Sequence, residues 1–195
     1  NRSLERTGMV YLHAPLFARA MKFVAPIRRF IGFPTVFNLL GPIVNPSQPK
    51  CQLLGVANLD QMRLYNNVYR KIGIDYAIEN SIEGYDEISL TGNFKITTND
   101  YERIFSPADI GMQQTQAYEL MGGETKEDAM RIFDSVLANT ATESQKNVVI
   151  TNAAFAIQVM ERGKKSIDEC IAIARESLES GRAEETLKKF IEINS

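Results

Sequence analysis

The stretch CQLLGVANLDQMRLYNNVYRKIGIDYAIEN, Cys51 to Asn80, decides the fold. CQLLGVAN is a short apolar run closed by Gly55 and Asn58, the pattern of a buried strand. Asp60 then stands as a cap for a helix whose Leu64, Tyr65, Val68, Tyr69 and Ile72 share one face, and Gly73 supplies the stop. YAIEN reads as a second strand. Strand, helix and strand at this spacing form a βαβ crossover, whose two strands pair in parallel.

Toward the C-terminus, ISLTG and NFKITTN predict two further strands joined at Gly92-Asn93, a hairpin signal, so the sheet is expected to be mixed. From Thr125 the pattern is helical. Three capping pairs mark helix starts, because each hydroxyl can accept from the backbone N–H three residues on: Thr125 with Asp128, Thr142 with Gln145, and Ser166 with Glu169. The helix from Thr142 to about Met160 is apolar nearly all round, which predicts a central, buried position. Asn152 is its polar interior residue and is expected to bond neighbouring backbone, since a buried amide without partners costs about 1 to 3 kcal/mol. The last helices carry Ile167, Ile171, Ala174 and Leu178, then Leu187, Phe190 and Ile191, and are expected to cover one face of the sheet.

Toward the N-terminus, six of the seven prolines fall between Pro15 and Pro49. Proline ends or kinks helices, so this part is expected to be short helices and rigid turns, with Leu16, Phe17, Ala20, Met21 and Val24 on one face. The expected fold is thus α/β: a mixed, mostly parallel central sheet flanked by helices, with a helical C-terminal half. No repeat or low-complexity linker interrupts residues 1–195, which read as a single domain.

With 44% hydrophobic and 24% charged residues, the 195-residue chain has the composition of an ordinary globular domain. A net charge of -2 supplies no global basic field for nucleic acid, although Lys22, Arg28 and Arg29 leave room for a local basic patch. The two cysteines, far apart and without CxxC spacing, indicate no disulfide framework and fit a reducing compartment. Apolar runs are broken well before membrane-spanning length and no signal pattern begins the sequence, so a cytoplasmic location is expected.

The chemistry-bearing stretch is SIEGYDEISLTG, Ser81 to Gly92, with Asp86 and Glu87 adjacent after a glycine. Taken alone, such a pair suits either a solvated turn or hard-oxygen metal ligands. FNLLGP, with Asn38, Gly41 and Pro42, suits a cavity lining or simply a helix stopped by Gly-Pro. His13, the sole histidine, reads as a packed or partly exposed side chain rather than a base.

PTVFNLLGPIVNP, Pro34 to Pro46, is accompanied in order by GMVYLHAPLF and AMKFVAPIRR before it, and by QLLGVAN, GYDEISLTG, SPADIGM, LMGGETKEDAMRIF, NVVITNAAFAI and SGRAEETL after it. In this spaced combination, from about Leu4 to the C-terminus, the chain resembles the anthranilate phosphoribosyltransferases, nucleoside-phosphorylase-like phosphoribosyltransferases of tryptophan biosynthesis. The resemblance implies an Mg2+-dependent pentosyltransferase. In that family the amine of anthranilate attacks C1 of phosphoribosyl pyrophosphate and diphosphate leaves, with no covalent enzyme intermediate, so no side chain is assigned a catalytic role. Asp86 and Glu87 fall where the family has its metal-binding acids. A homodimer of the intact protein is also implied.

The sequence departs from the family in several places. The glycine-rich G-T-G-G-D phosphate loop has no counterpart in these residues, Gly122-Gly123 belonging to a later motif, and residues 1–195 are expected to lack the family's small N-terminal helical domain. Asn1-Arg2-Ser3 resembles the end of the family's substrate-contacting K-H-G-N-R-S segment; on that alignment a break is expected between Ser3 and Leu4. Pro34 stands where an arginine usually contacts the anthranilate carboxylate, Ala18 and Arg19 replace a histidine-proline pair, and Asn80 replaces a third histidine. These departures leave room for an altered-substrate or inactive relative, a nucleic-acid-binding relative, or a pyrimidine-nucleoside phosphorylase relative.

Overall fold

The structure, a computed structural model, describes residues 2–17, 23–24, 26–27, 30–32 and 35–195. Two compact units divide it: Asn1–Pro49 with Lys189–Ser195, and Lys50–Lys188.

In the smaller unit the described helices are short, as the prolines dictate: α1 Arg2–Thr7, α2 Ala14–Phe17 and α3 Val36–Leu39. The expected break between Ser3 and Leu4 is not there. Thr7 Oγ1 donates to the Ser3 carbonyl at 2.8 Å and the Gly8 N–H to the Leu4 carbonyl at 2.9 Å, so one helical backbone runs through both residues. Of the apolar face expected here, Leu16 and Phe17 are exposed and Ala20 and Met21 lie outside the described residues. Asn38 serves the backbone, since its Oδ1 accepts from the Thr35 N–H at 3.1 Å and caps α3.

The larger unit is built on the crossover. Strand β1 Cys51–Gly55, helix α4 Leu59–Ile72 and strand β2 Asp75–Ser81 follow one another, and β1 pairs with β2 in parallel from Cys51↔Asp75 to Gly55↔Glu79. Strands β3 Phe94–Thr98 and β4 Glu102–Phe105 complete a four-stranded sheet in the order β1-β2-β3-β4. The sheet is mixed as expected, with an antiparallel share larger than the pattern suggested: β2–β3 and β3–β4 both run antiparallel.

Local signals met tertiary ones along this unit. Helix α4 is capped by Asn58, whose Oδ1 accepts from the Gln61 N–H at 2.9 Å, and not by Asp60, which falls in the first turn. Gly73 closes it with φ of 78° and an N–H donated to the Tyr69 carbonyl at 2.8 Å. The buried stripe is Met62, Tyr65 and Tyr69, leaving Leu64 and Ile72 exposed. The sheet selects that stripe: Tyr69 meets the ring of Tyr76 at 5.4 Å, and Thr97 Oγ1 reaches Met62 Sδ at 3.2 Å.

ISLTG is not a strand, and the hairpin lies one element later, between β3 and β4. The backbone of Ile88 is buried but bonded by a side chain, and Leu90 has φ of 59°, which breaks strand geometry. Asn99 closes the β3–β4 turn against β2, accepting from the Tyr76 N–H and donating to the Ile74 carbonyl, both at 2.9 Å.

Helices α5 Lys126–Leu137, α6 Glu143–Met160 and α7 Ile167–Glu179 each begin with the capping box expected of them. Helix α6 lies on the sheet, where Phe155 packs edge-on to Phe94 and Phe105 at 5.9 Å from each ring, among Ile88, Ile96 and Ile150. It is less enclosed than its composition implies: Val149 and Met160 are exposed. Helix α7 stacks on α6 through Cys170, Ala174 and Leu178, so the sheet-covering role expected of it is taken mainly by α6. Helix α8 Arg182–Asn194 ends the chain. Among the described residues no helix is long and apolar enough to cross a membrane.

Candidate functional site

Because β1 and β2 are parallel, their carboxyl ends, Gly55 and Ser81, open at the same edge, where ligands bind in open α/β sheets. Residues 82–93 follow β2 there. Hydrogen bonds to β2 set the shape of this loop: the Ser81 N–H donates to the Tyr85 carbonyl at 3.0 Å, the Gly84 N–H to the Ser81 carbonyl at 2.8 Å, and Ser81 Oγ to the Glu87 carbonyl at 2.7 Å. Asn80, buried at the strand end, donates to the Val56 carbonyl at 2.7 Å and so ties β1 to the same loop. That amide has a structural role at the position where the resemblance implies a histidine.

Asn152 anchors the loop from the helix side. Its Oδ1 accepts from the Ile88 N–H at 3.0 Å, and its Nδ2 donates to the Ile88 carbonyl at 2.9 Å and to the Val148 carbonyl at 2.8 Å. One amide thus satisfies both backbone groups of Ile88, standing in for a neighbouring strand. The expectation that Asn152 bonds backbone holds, with a partner across the fold as well as within α6. Asn152→Ala is expected to lower stability by about 1 to 2 kcal/mol, because those buried groups lose their partner. Denaturant unfolding of the pair checks it; equal midpoints and slopes would remove the anchor.

The backbone of the loop is fixed while its acids face water. Asp86 and Glu87 are exposed, and among the described residues neither carboxylate has a hydrogen-bond or ion-pair partner. Gly55 makes the placement possible: a Cβ built there would lie 1.5 Å from the Asp86 carbonyl oxygen. Only glycine lets the loop lie against the end of β1.

Beneath the pair lies an acid that sequence reasoning passed over. Glu79, near the end of β2, is 4% exposed, and its Oε2 has no hydrogen-bond partner. Burial first, then the negative charges of Glu87 and Asp86, push its pKa up to about 8. The available signal was a charged residue inside the strand pattern YAIEN.

The other candidate residues are placed elsewhere. Ser3 is buried in the smaller unit, its Oγ donating to Asn194 Oδ1 at 2.9 Å, and Arg2 is exposed. Asn1 and Pro34 lie outside the described residues, as do Ala18, Arg19, Lys22, Arg28 and Arg29. His13 is exposed beside Tyr11, 3.4 Å from its hydroxyl. A surface cavity of about 310 Å³ lies away from the acids, at the opposite end of β2, lined by Asp75, Asn99, Tyr101 and Arg162.

The sequence matches, over residues 1–184, the family model described as "Glycosyl transferase family, a/b domain". It is 57% identical over 194 residues to an anthranilate phosphoribosyltransferase of Phocaeicola vulgatus, and 56% identical to that of Bacteroides thetaiotaomicron; each alignment covers 100% of this chain and 58% of the relative. The chain therefore spans 58% of the length of these curated relatives. Among solved structures it is similar to anthranilate phosphoribosyltransferase from Thermus thermophilus, with TM-score 0.89, 28% identity, and 97% of this chain and 57% of that one covered. The Saccharomyces cerevisiae enzyme in complex with PRPP and Mg gives TM-score 0.83 at 26% identity, covering 96% of this chain and 53% of that one.

Proposed function

The chain belongs to the glycosyl transferase family through its a/b domain, and we propose that it is the large-domain portion of an anthranilate phosphoribosyltransferase. The reaction is transfer of phosphoribosyl from phosphoribosyl pyrophosphate to the amine of anthranilate, a step of tryptophan biosynthesis. One observation carries the reading: an exposed adjacent acid pair, held on a fixed backbone at the carboxyl ends of two parallel strands. The named relatives and the yeast complex with PRPP and Mg support it.

The residues present fit a magnesium ion. Asp86 and Glu87 are hard oxygen donors open to solvent, and such an ion is commonly held by one or two carboxylates together with substrate phosphates. When bound, the ion supplies charge neutralisation for the departing diphosphate. This chain's own contribution is placement. Ser81, Asn80 and Asn152 hold the loop backbone, so the two carboxylates are presented without reorganisation. The attacking amine of anthranilate is neutral, so no side chain has to activate it as a nucleophile by deprotonation before attack.

The substrates are phosphoribosyl pyrophosphate and anthranilate, and the intact protein is a cytoplasmic homodimer. Free Cys51 and Cys170 agree with that compartment. The sequence departs from the family resemblance at Pro34, Ala18 and Asn80, the first standing where the resemblance implies an arginine that contacts the anthranilate carboxylate.

The test is loss of anthranilate fluorescence by the full-length gene product with phosphoribosyl pyrophosphate and magnesium. In the Asp86→Asn, Glu87→Gln double variant, magnesium-dependent turnover is expected to disappear while stability changes by less than about 0.5 kcal/mol, as for other exposed positions. Unchanged turnover would remove the metal assignment; a large fall in Tm would make the pair structural.

A further inference from the structure

The acid pair does not account for Glu79. Its Oε2 is buried without a hydrogen-bond partner, a state that in a folded protein calls for an explanation such as a missing water or ion. Its direction follows from the sheet. Glu79 is the register partner of Gly55 on one side and Ile96 on the other, and side chains of register partners project from the same face. On that face, a Cβ at Gly55 would strike the Asp86 carbonyl, so the loop bearing Asp86 and Glu87 sits on the side to which Glu79 points.

We propose that Glu79 is a third oxygen donor of the cation site, acting from beneath through a bound water and positioning the hydrated ion over Asp86 and Glu87. This extends the magnesium reading of the acid pair and rests on it. Among the described residues no three acidic, histidine or cysteine side chains are close enough to hold one ion directly. Glu79 therefore acts in the outer shell, and magnesium and manganese both retain water that such a carboxylate can accept from. The unpartnered oxygen gains a donor, and the buried carboxyl gains the nearby positive charge that its two acidic neighbours deny it.

The experiment counts free Mn2+ by electron paramagnetic resonance while the full-length gene product is titrated at pH 7.5. Four proteins are compared: the unmodified protein, Glu79→Gln, Glu79→Met, and the Asp86→Asn, Glu87→Gln double variant. Outer-shell partners are commonly worth tenfold or more in metal affinity, so the two Glu79 variants are expected to bind Mn2+ about tenfold more weakly while remaining folded. The double variant is expected to lose the site. If both Glu79 variants bind like the unmodified protein while the double variant does not, Glu79 has no part in the site and the acid-pair reading stands alone. If none of the substitutions changes binding, the ion sits elsewhere and both readings fall.

Discussion

Gly55→Ala is expected to destabilise the protein and to displace the acidic loop in the same step. The added methyl would lie 1.5 Å from the Asp86 carbonyl oxygen and 2.7 Å from its carbonyl carbon, distances no van der Waals contact permits. Neither atom belongs to a flexible side chain. The Asp86 backbone is held by neighbours on both sides, through the Ser81 N–H to the Tyr85 carbonyl before it and Ser81 Oγ to the Glu87 carbonyl after it, so yielding breaks hydrogen bonds. Overpacking of this kind costs about 1 to 3 kcal/mol, and in a chain of this size each kcal/mol lowers Tm by roughly 2 to 4 °C. Moving the loop also moves both carboxylates, so magnesium-dependent turnover is expected to fall with Tm. Gly92→Ala is the control, because the atoms nearest its Cβ belong to the Glu83 side chain, the closest at 2.7 Å, and that side chain can turn away at the cost of one hydrogen bond, from Thr91 Oγ1. Calorimetric melting and turnover of both variants decide the matter. Equal, small losses for the two would show that the loop is loose over Gly55.

Glu79→Gln is expected to make the fold more stable, increasingly so as pH rises. In the folded protein the Glu79 carboxyl keeps its proton up to about pH 8, because burial and the charges of Glu87 and Asp86 oppose ionisation; its ordinary pKa is 4.5. The folded state therefore binds more protons than the unfolded state between those values. The contribution of Glu79 to stability is greatest below pH 4.5, declines through the window and is lost above pH 8. At its steepest the decline is about 1.4 kcal/mol per pH unit, with a ceiling on the order of 4 to 5 kcal/mol across the window. Glutamine keeps the shape and removes the titration. The difference in unfolding free energy, variant minus unmodified, should climb between pH 5 and 8 and then level off. Taking the difference cancels the other titrating groups. Without added cation, a flat difference would mean that Glu79 is as well solvated in the folded chain as in the unfolded one.

These two positions show where sequence reading stops. Three helix starts were legible because each cap is a contract between residues three apart: Thr125 with Asp128, Thr142 with Gln145, Ser166 with Glu169. The βαβ unit and the stop at Gly73 were legible for the same reason, since periodicity and a left-handed residue are properties of a short stretch. The acidic pair was visible as a pair, and the resemblance supplied its expected role.

What tertiary structure decided was which local possibility won. ISLTG had the composition of a strand, but Asn152, 64 positions away, took both backbone groups of Ile88 and left no place for a ladder. Asn58 displaced Asp60 as the cap where the chain leaves β1. Gly55 looked like the end of an apolar run, and only the approach of Asp86 shows why no side chain fits there. Glu79 is the clearest case: the sequence marks it only as a charge within a strand, and its burial comes from the register with Gly55 and Ile96 and from the helix laid across that face. The caps at Thr125, Thr142 and Ser166 and the stop at Gly73 are closed by bonds between neighbours in the chain, and the sequence alone determined them; the environment of a carboxyl group is set by whatever the fold brings against it, and that only the assembled sheet and helices determine.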